Sequence, residues 1–225
     1  MRTKMLVFLA LVSLPATGSA AGFSGPYIGM ELGLVSGKDN GTEFLNGVLA
    51  NWTTETSPKG EVYSVLGGYG WAFRDNLFLG VEANYESRSA DDNEFYKFNG
   101  VPDPDYSIQA ELKSAYSLRL RFGYVFNNAR TVAYVTGGYA AADIERTYGD
   151  NILSTSLTVS DVQRGWVAGL GLEYLVGKNL SARLEYRAAD YGDVTIDTSS
   201  LWAAAYTELQ EYDEQSVRVG MVYQF

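Results

Sequence analysis

Ten charged residues could together form one chemical site, because nearly all of them alternate with apolar neighbours in short segments of the chain. They are five glutamates and five arginines: Glu31, Glu82, Glu86, Glu173 and Glu185, with Arg119, Arg121, Arg183, Arg187 and Arg218. Carboxylate and guanidinium groups in one place could act as a general acid/base site, or they could neutralise one another as a buried ion network. The chain contains no His and no Cys, so it lacks both the imidazole base of a hydrolytic triad and a thiol nucleophile. The residue types therefore favour the ion network.

The last ten residues indicate which kind of element positions such side chains. Every second position is apolar or aromatic: Val217, Val219, Met221, Tyr223 and Phe225. Because successive strand residues point to opposite faces, this segment is predicted to be a β-strand with one apolar side. A strand at the end of a chain must pair both of its edges or leave one open. A closed barrel, in which the last strand pairs with the first, meets that requirement.

Alternation of the same kind predicts eight strands. They cover residues 26–35, 62–73, 77–87, 110–126, 131–142, 165–176, 180–188 and 216–225. In the fourth strand the pattern places Leu112 on the outer face and Lys113 on the inner face. The fifth strand is ambiguous, since Val132 with Tyr134, or Val135 with Tyr139, could form its outer face. Alternating segments of about ten residues are typical of strands that cross a membrane.

The connections alternate in length. Three are short (residues 74–76, 127–129 and 177–179) and four are long (36–61, 88–109, 143–164 and 189–215). Outward-facing aromatic residues form two bands, one beside the short turns and one near the long connections, as amphipathic rings at two membrane interfaces would. The sequence therefore predicts an all-β fold, an eight-stranded antiparallel up-and-down transmembrane β-barrel. A soluble ligand-binding barrel such as a lipocalin is the alternative, and it would carry its apolar residues inward.

The first twenty residues predict export. Arg2 and Lys4 precede an apolar run from Met5 to Leu14, and small residues follow it. This is the pattern of a cleaved signal peptide covering residues 1–20, which leaves one barrel domain at 21–225. Removing Arg2 and Lys4 changes the formal net charge from −10 to −12, and such acidity argues against a nucleic-acid partner.

Several of these segments resemble a known family. The runs 117–126, 134–139 and 165–174, Leu184-Glu-Tyr186 and the terminal strand 217–225 are similar to small porin-family outer-membrane proteins. The resemblance is to the OmpA-like eight-stranded barrels, in particular the immunogenic surface antigens of alphaproteobacteria. It implies a location in the cell outer membrane, contact with lipid and lipopolysaccharide, and assembly machinery that reads the strand ending at Phe225. Because no residue follows Phe225, the peptidoglycan-binding domain of longer OmpA proteins is not expected.

The barrel prediction decides between the two interpretations of the ten charged residues. An eight-stranded barrel is just wide enough for side chains to fill it, so a charged filling must be paired. We therefore expect a non-enzymatic structural barrel without a cofactor. Its loops would contact an extracellular partner that the sequence does not identify. The alternative is a narrow porin or ligand-uptake barrel that transports small solutes.

The last long connection is acidic. It contains seven acids and no base: Asp190, Asp193, Asp197, Glu208, Glu211, Asp213 and Glu214. Binding of calcium or magnesium is one interpretation, but no spacing matches a defined metal loop, so a solvated acidic surface is favoured. The apolar run from Leu201 to Tyr206 lies within it, and we expect that run to fold onto the barrel rim rather than to contact a partner.

Overall fold

The computed structural model describes residues 21–73, 76–202 and 205–225. A short 3-10 helix, Ala21–Phe23, precedes nine strands. These are β1 (Gly25–Leu45), β2 (Val48–Thr56), β3 (Lys59–Ala72), β4 (Leu77–Phe98), β5 (Val101–Phe126), β6 (Thr131–Asp150), β7 (Thr155–Leu175), β8 (Leu180–Asp197) and β9 (Tyr206–Gln224). The predicted signal peptide lies outside the described residues and stays a prediction.

All nine strands form one closed antiparallel sheet. The order is β2-β1-β3-β4-β5-β6-β7-β8-β9, and β1 also pairs with β9. That last ladder runs without a break from Tyr27 opposite Gln224 to Leu45 opposite Tyr206. The ends of the sheet therefore meet, which confirms the predicted antiparallel barrel.

The nine strands occupy eight positions in the wall. β1 pairs with β3 up to Ser36 opposite Lys59, and the same register continues with Asp39 opposite Thr56 of β2. β2 and β3 are thus successive halves of one wall strand, interrupted at Ser57 and Pro58. Proline has no backbone N–H to donate to a ladder, and the Pro58 carbonyl instead accepts a hydrogen bond from the Gly37 N–H at 2.8 Å.

The outer face of the barrel has an apolar band and a polar extension. From Phe225 back along β9 to Val217 the exposed residues are apolar, whereas the next outward residues are Gln215, Asp213 and Glu211. The exposed aromatic residues near this border include Tyr63, Tyr85, Tyr116, Trp166 and Tyr186. Exposed apolar side chains are stable in hydrocarbon, so the band marks the part of the wall that crosses the membrane.

The four long connections are mostly strand, so their prediction as loops was wrong. β5 has 26 residues, roughly 85 Å along the strand, whereas crossing a membrane takes about 9–11 residues. The hairpins therefore continue the barrel wall well beyond the apolar band. Their turns are short, as at Asn99 and Gly100, which both have positive φ. No helix among the described residues is long and apolar enough to cross a membrane.

The predicted phase of the fourth strand was wrong at its outer end. Leu112 pairs with Ile144 and Ser114 with Asp143, so Lys113 is an extra residue at a β-bulge. Because an extra residue reverses the alternation, Leu112 is buried inside the barrel, while Lys113 is partly exposed and pairs with Glu111 and Glu145.

The phase of the fifth predicted strand, now β6, is settled by its burial. Val132 and Tyr134 are buried in the lumen, whereas Val135 and Tyr139 are exposed on the outer face. Of the three predicted short turns, 127–129 has positive φ throughout. In the turn 74–76, Arg74 and Asp75 lie outside the described residues.

Candidate functional site in the barrel lumen

The lumen is filled in layers from the end with the short turns to the end with the long hairpins. The first layer is apolar, where Phe23 of the 3-10 helix packs edge-to-face on Phe78 at 6.5 Å between ring centroids, beside Val125 and Leu175. The ten charged residues predicted to face inward lie above it. A second apolar layer follows, containing Val35, Ala142 and Tyr212 among others. Aromatic side chains line the far end.

The structure brings all ten predicted lumen residues together. Each of them is at most 5% exposed. Since five carboxylates face five guanidinium groups, the formal charge of the set is zero. Buried charges that are paired and hydrogen-bonded avoid the large cost of desolvation without a partner.

Arg183 is the centre of the lower half of this set. Its guanidinium donates to Glu82 at 2.7 Å, to Glu173 at 3.0 and 3.1 Å, and to Glu31 at 3.3 Å. Glu82 also pairs with Arg119 and lies 3.6 Å from Arg121. Each carboxylate is therefore shared by several cations.

Glu86 is the centre of the upper half. It accepts hydrogen bonds from Arg218 at 3.0 Å, from Arg88 at 2.8 Å and from Arg187 at 3.1 Å. Arg187 reaches down to Glu31 at 2.7 Å and also pairs with Glu185. These two contacts join the halves into one network. The sequence could not assign individual pairs, and Arg218 in fact pairs with Glu86 rather than with Glu31, Glu82, Glu173 or Glu185.

Aromatic rings support the lower half from below. The Arg121 guanidinium lies 3.9 Å from the ring centroid of Tyr134 and 5.7 Å from that of Tyr27. Cation–π contacts of this kind stabilise a desolvated guanidinium. Glycine makes room for both rings, since a Cβ on Gly68 would lie 2.6 Å from the Tyr27 ring and one on Gly171 would lie 2.4 Å from that of Tyr134.

Sequence reasoning missed the charged residues that extend the network outward. Arg88 donates to Glu214 at 2.6 and 2.8 Å, and Arg146 donates to Asp39 at 2.6 and 2.7 Å. All four residues are buried, although they lie in segments predicted to be loops. One feature of the sequence could have identified them. Each is separated by an even number of positions from inward-facing residues of the same strand, and therefore faces the lumen as well.

The prediction of a wholly solvated acidic last connection was wrong for two of its seven acids. Glu214 is buried beside Arg88, and Glu208 is 0% exposed. Glu208 accepts hydrogen bonds from Tyr96 at 2.7 Å and from Thr54 at 3.0 Å. Burial nevertheless raises the pKa of Glu208 to about 8. The other five acids are exposed. Within the described residues no group of acids could hold a metal ion.

The arrangement leaves little space or chemical freedom in the charged layer. The cavity beside Glu86, Arg187 and Arg218 has a volume of about 10 Å³, which is at the lower limit for one water molecule. Guanidinium groups that are already bonded to several carboxylates cannot act as free acids or bases. The geometry fits a rigid filling of the barrel better than a reaction centre.

Four residues of the predicted assembly signal lie on the outer face of β9, and the fifth, Phe225, directly follows that strand. Val217, Val219, Met221, Tyr223 and Phe225 are all exposed. Tyr223 and Phe225 contact each other edge-to-face, with 5.3 Å between their ring centroids. The intervening Val222 and Gln224 are buried. The terminal strand therefore presents one continuous apolar strip.

Comparison with known proteins agrees with this architecture. Residues 6–225 match the family described as the outer membrane protein beta-barrel domain. The chain is 27% identical over 238 residues to the 31 kDa outer-membrane immunogenic protein of Brucella melitensis, covering 96% of this chain and 91% of that protein.

Two solved structures are similar in fold. The outer membrane protein OprG from Pseudomonas aeruginosa gives a TM-score of 0.60 at 14% identity, covering 92% of this chain and 98% of that chain. The outer membrane protease OmpT from Escherichia coli gives 0.52 at 12% identity, covering 96% of this chain and 100% of that chain. At such identities the similarity concerns the fold alone. The family match over most of the chain shows that it belongs to the outer membrane protein beta-barrel domain family, and it is located in the cell outer membrane.

Proposed function

We propose that this outer-membrane barrel is a structural, non-enzymatic protein that contributes to the integrity of the outer membrane and presents an extended surface outside it. The observation that carries the proposal is the charge-balanced lumen network. A wide, water-filled channel needs side chains that leave space, whereas here five carboxylates and five guanidinium groups pair across the lumen. The apolar layer around Phe23 lies at the end beside the short turns, which gives a second barrier.

The absence of His and Cys from the sequence supports a role without catalysis. A triad-type hydrolase needs a base that can take a proton from its nucleophile. The buried carboxylates of the lumen are held by arginines and are poor bases for that purpose. Similarity to the protease OmpT does not argue otherwise, because at 12% identity it concerns fold alone.

The partners that we propose follow from the two zones of the outer face. Lipid and lipopolysaccharide contact the apolar band, and the outer-membrane assembly machinery reads the strip that ends at Phe225. The polar wall outside the membrane is available to an extracellular partner. We also propose that residues 1–20 are the cleaved export signal, which leaves the barrel domain at 21–225.

A deletion strain separates the structural proposal from the transport alternative. Without the protein, we expect faster entry of a hydrophobic dye such as N-phenylnaphthylamine, and unchanged uptake of small hydrophilic solutes. Expression of the wild-type chain should restore the barrier. Slower uptake of small solutes, with an intact barrier to the dye, would instead support a porin.

A further inference from the structure

A cavity of about 430 Å³ lies at the outer end of the barrel. Five of the side chains that line it are aromatic: Trp52 of β2, Tyr96 of β4, Tyr106 of β5, Trp202 in the connection before β9, and Tyr206 of β9. Glu43 of β1 and Asp150 of β6 also line it. Five strands before the last connection, that connection and β9 therefore converge on one space.

Four of these rings, those of Trp52, Tyr96, Tyr106 and Trp202, contact one another in a closed circuit. Trp52 lies 6.4 Å from Tyr96 and 5.4 Å from Tyr106, and Trp202 lies 6.0 Å from Tyr96 and 5.1 Å from Tyr106. All four contacts are edge-to-face, with interplanar angles between 72° and 85°. An aromatic ring is electron-rich on its face, so rings set at near right angles around one space can offer their faces to an organic cation.

The charge in the cavity wall has the complementary sign. Glu43 is only 5% exposed, yet among the described residues it has no hydrogen-bond or ion-pair partner. Asp150 is held differently, since it accepts hydrogen bonds from the backbone N–H groups of Ile152 and Leu153 at 2.9 and 2.8 Å. No Lys or Arg lines the cavity among the described residues. The wall therefore carries two acids and no compensating cation.

Burial raises the pKa of Glu43 to about 7. The titratable groups that face it are Glu208 of β9 and Tyr96 of β4. Neither supplies positive charge, so a bound cation would be the first group to compensate an ionised Glu43. The charge of the cavity wall and the arrangement of its aromatic rings thus favour the same kind of ligand.

Other ligand classes fit the cavity less well. An anion would meet two carboxylates, and a neutral apolar molecule would desolvate Glu43 without compensation. A bare divalent ion needs several converging oxygens, and no such group is present among the described residues. Aromatic rings together with carboxylates that have no cationic partner favour a soft, weakly hydrated cation.

The geometry points to a binding site for a small organic cation, a protonated amine or a quaternary ammonium ion, in the cage formed by Trp52, Tyr96, Tyr106, Trp202 and Glu43. The site lies outside the membrane band and is independent of whether the lumen conducts.

Titration calorimetry with tetramethylammonium chloride tests this site. The full barrel is refolded in a maltoside detergent, because a phosphocholine detergent would itself supply a quaternary ammonium. At pH 8 and constant ionic strength set with sodium chloride, we expect saturable binding of tetramethylammonium. Binding of tert-butanol, a neutral molecule of similar size, should be at least tenfold weaker. Equal binding of the two molecules, or no saturable binding of tetramethylammonium, would overturn the proposal on the wild-type protein alone.

Two variants and two matched controls locate the site. Glu43→Gln should weaken tetramethylammonium binding about tenfold, and Trp52→Leu about fivefold. Glu211→Gln removes an exposed acid at the same end of the barrel, and Phe95→Leu removes an exposed ring. Both controls should bind as the wild type does. Loss of affinity in Glu211→Gln equal to that in Glu43→Gln would assign the binding to general surface charge and refute the cage.

Discussion

Replacing Arg183 with Met should destabilise the barrel strongly. Arg183 donates four hydrogen bonds to Glu31, Glu82 and Glu173, at 2.7 to 3.3 Å. Methionine keeps much of the side-chain length but removes the charge. The remaining four arginines of the set would then face five carboxylates, and the unbalanced negative charge would be buried. Breaking a buried pair in this way costs about 3–5 kcal/mol of unfolding free energy.

The size of the effect can be read from urea unfolding. For a loss of about 4 kcal/mol and a denaturant slope of about 2 kcal/mol per molar, the midpoint should fall by roughly 2 M. Tryptophan fluorescence of the lipid- or detergent-embedded barrel reports the transition. Arg121→Ala should shift the midpoint in the same direction, because Arg121 pairs with Glu173 at 2.8 Å in the same network.

A matched control uses an exposed ion pair. Lys97 and Glu55 are 3.1 Å apart, and their side chains are 30% and 50% exposed. Lys97→Met should therefore cost only about 0–1 kcal/mol. The double variant Arg183→Met/Glu82→Gln should recover part of the lost stability, because it restores equal numbers of acids and bases in the network. An Arg183→Met midpoint no lower than that of Lys97→Met would refute the account of a dry, paired lumen.

Three further predictions concern assembly, topology and pH. Deleting Phe225 should lower the amount of protein in the outer membrane far more than Gln224→Ala, which alters an inward residue; equal amounts of the two on a membrane immunoblot would contradict the proposed signal. The chain contains no Cys, so single cysteines can report which end of the barrel lies outside the cell. Val101→Cys should react with an impermeant maleimide on intact cells and Asn128→Cys should not; the reverse labelling would mean that the barrel has the opposite orientation in the membrane. The wild type should lose stability as pH rises from about 5 to about 9, since burial raises the folded pKa of Glu208 to about 8 and that of Glu43 to about 7, so that ionisation of either is costly. Glu208→Gln should reduce this slope in urea titrations at several pH values, and an unchanged slope would remove Glu208 as one of its causes.

The membrane-crossing part of the barrel could be predicted because lipid leaves a one-sided signal in the sequence. Where the outer face meets hydrocarbon, as from Val217 to Phe225, every second residue must be apolar. The opposite positions are then assigned to the lumen without further information. That alternation also placed Arg183 and Glu82 inside the barrel.

The wall outside the membrane could not be predicted in the same way. In β1, Lys38 and Thr42 face outward while Asp39 and Glu43 face inward, so polar residues lie on both sides. Apolar and polar residues then do not alternate along the strand. The backbone hydrogen bonds of the ladder nevertheless hold this part of the strand as firmly as the part inside the membrane. For the same reason Glu208 resembled a solvated loop residue.

Local irregularities and contacts across the lumen were also beyond the sequence. The bulge at Lys113 reverses the phase of Leu112, and one extra residue leaves no mark in the alternation on either side. Pairing of Arg218 with Glu86 depends on how strands that are not neighbours are staggered around the barrel. Residue types alone do not determine that stagger.

Planar-bilayer recording of the refolded wild-type barrel tests the central claim most directly, because it measures whether the lumen passes ions. The paired network and the cavity of about 10 Å³ beside Glu86 predict no steady current at moderate voltage and salt. The positive control is a matched variant of this chain, Arg183→Ser/Glu82→Ser. It removes one cation and one anion from the network and should show at least intermittent conductance. A steady, reproducible conductance from the wild type would contradict the closed lumen and favour the porin alternative.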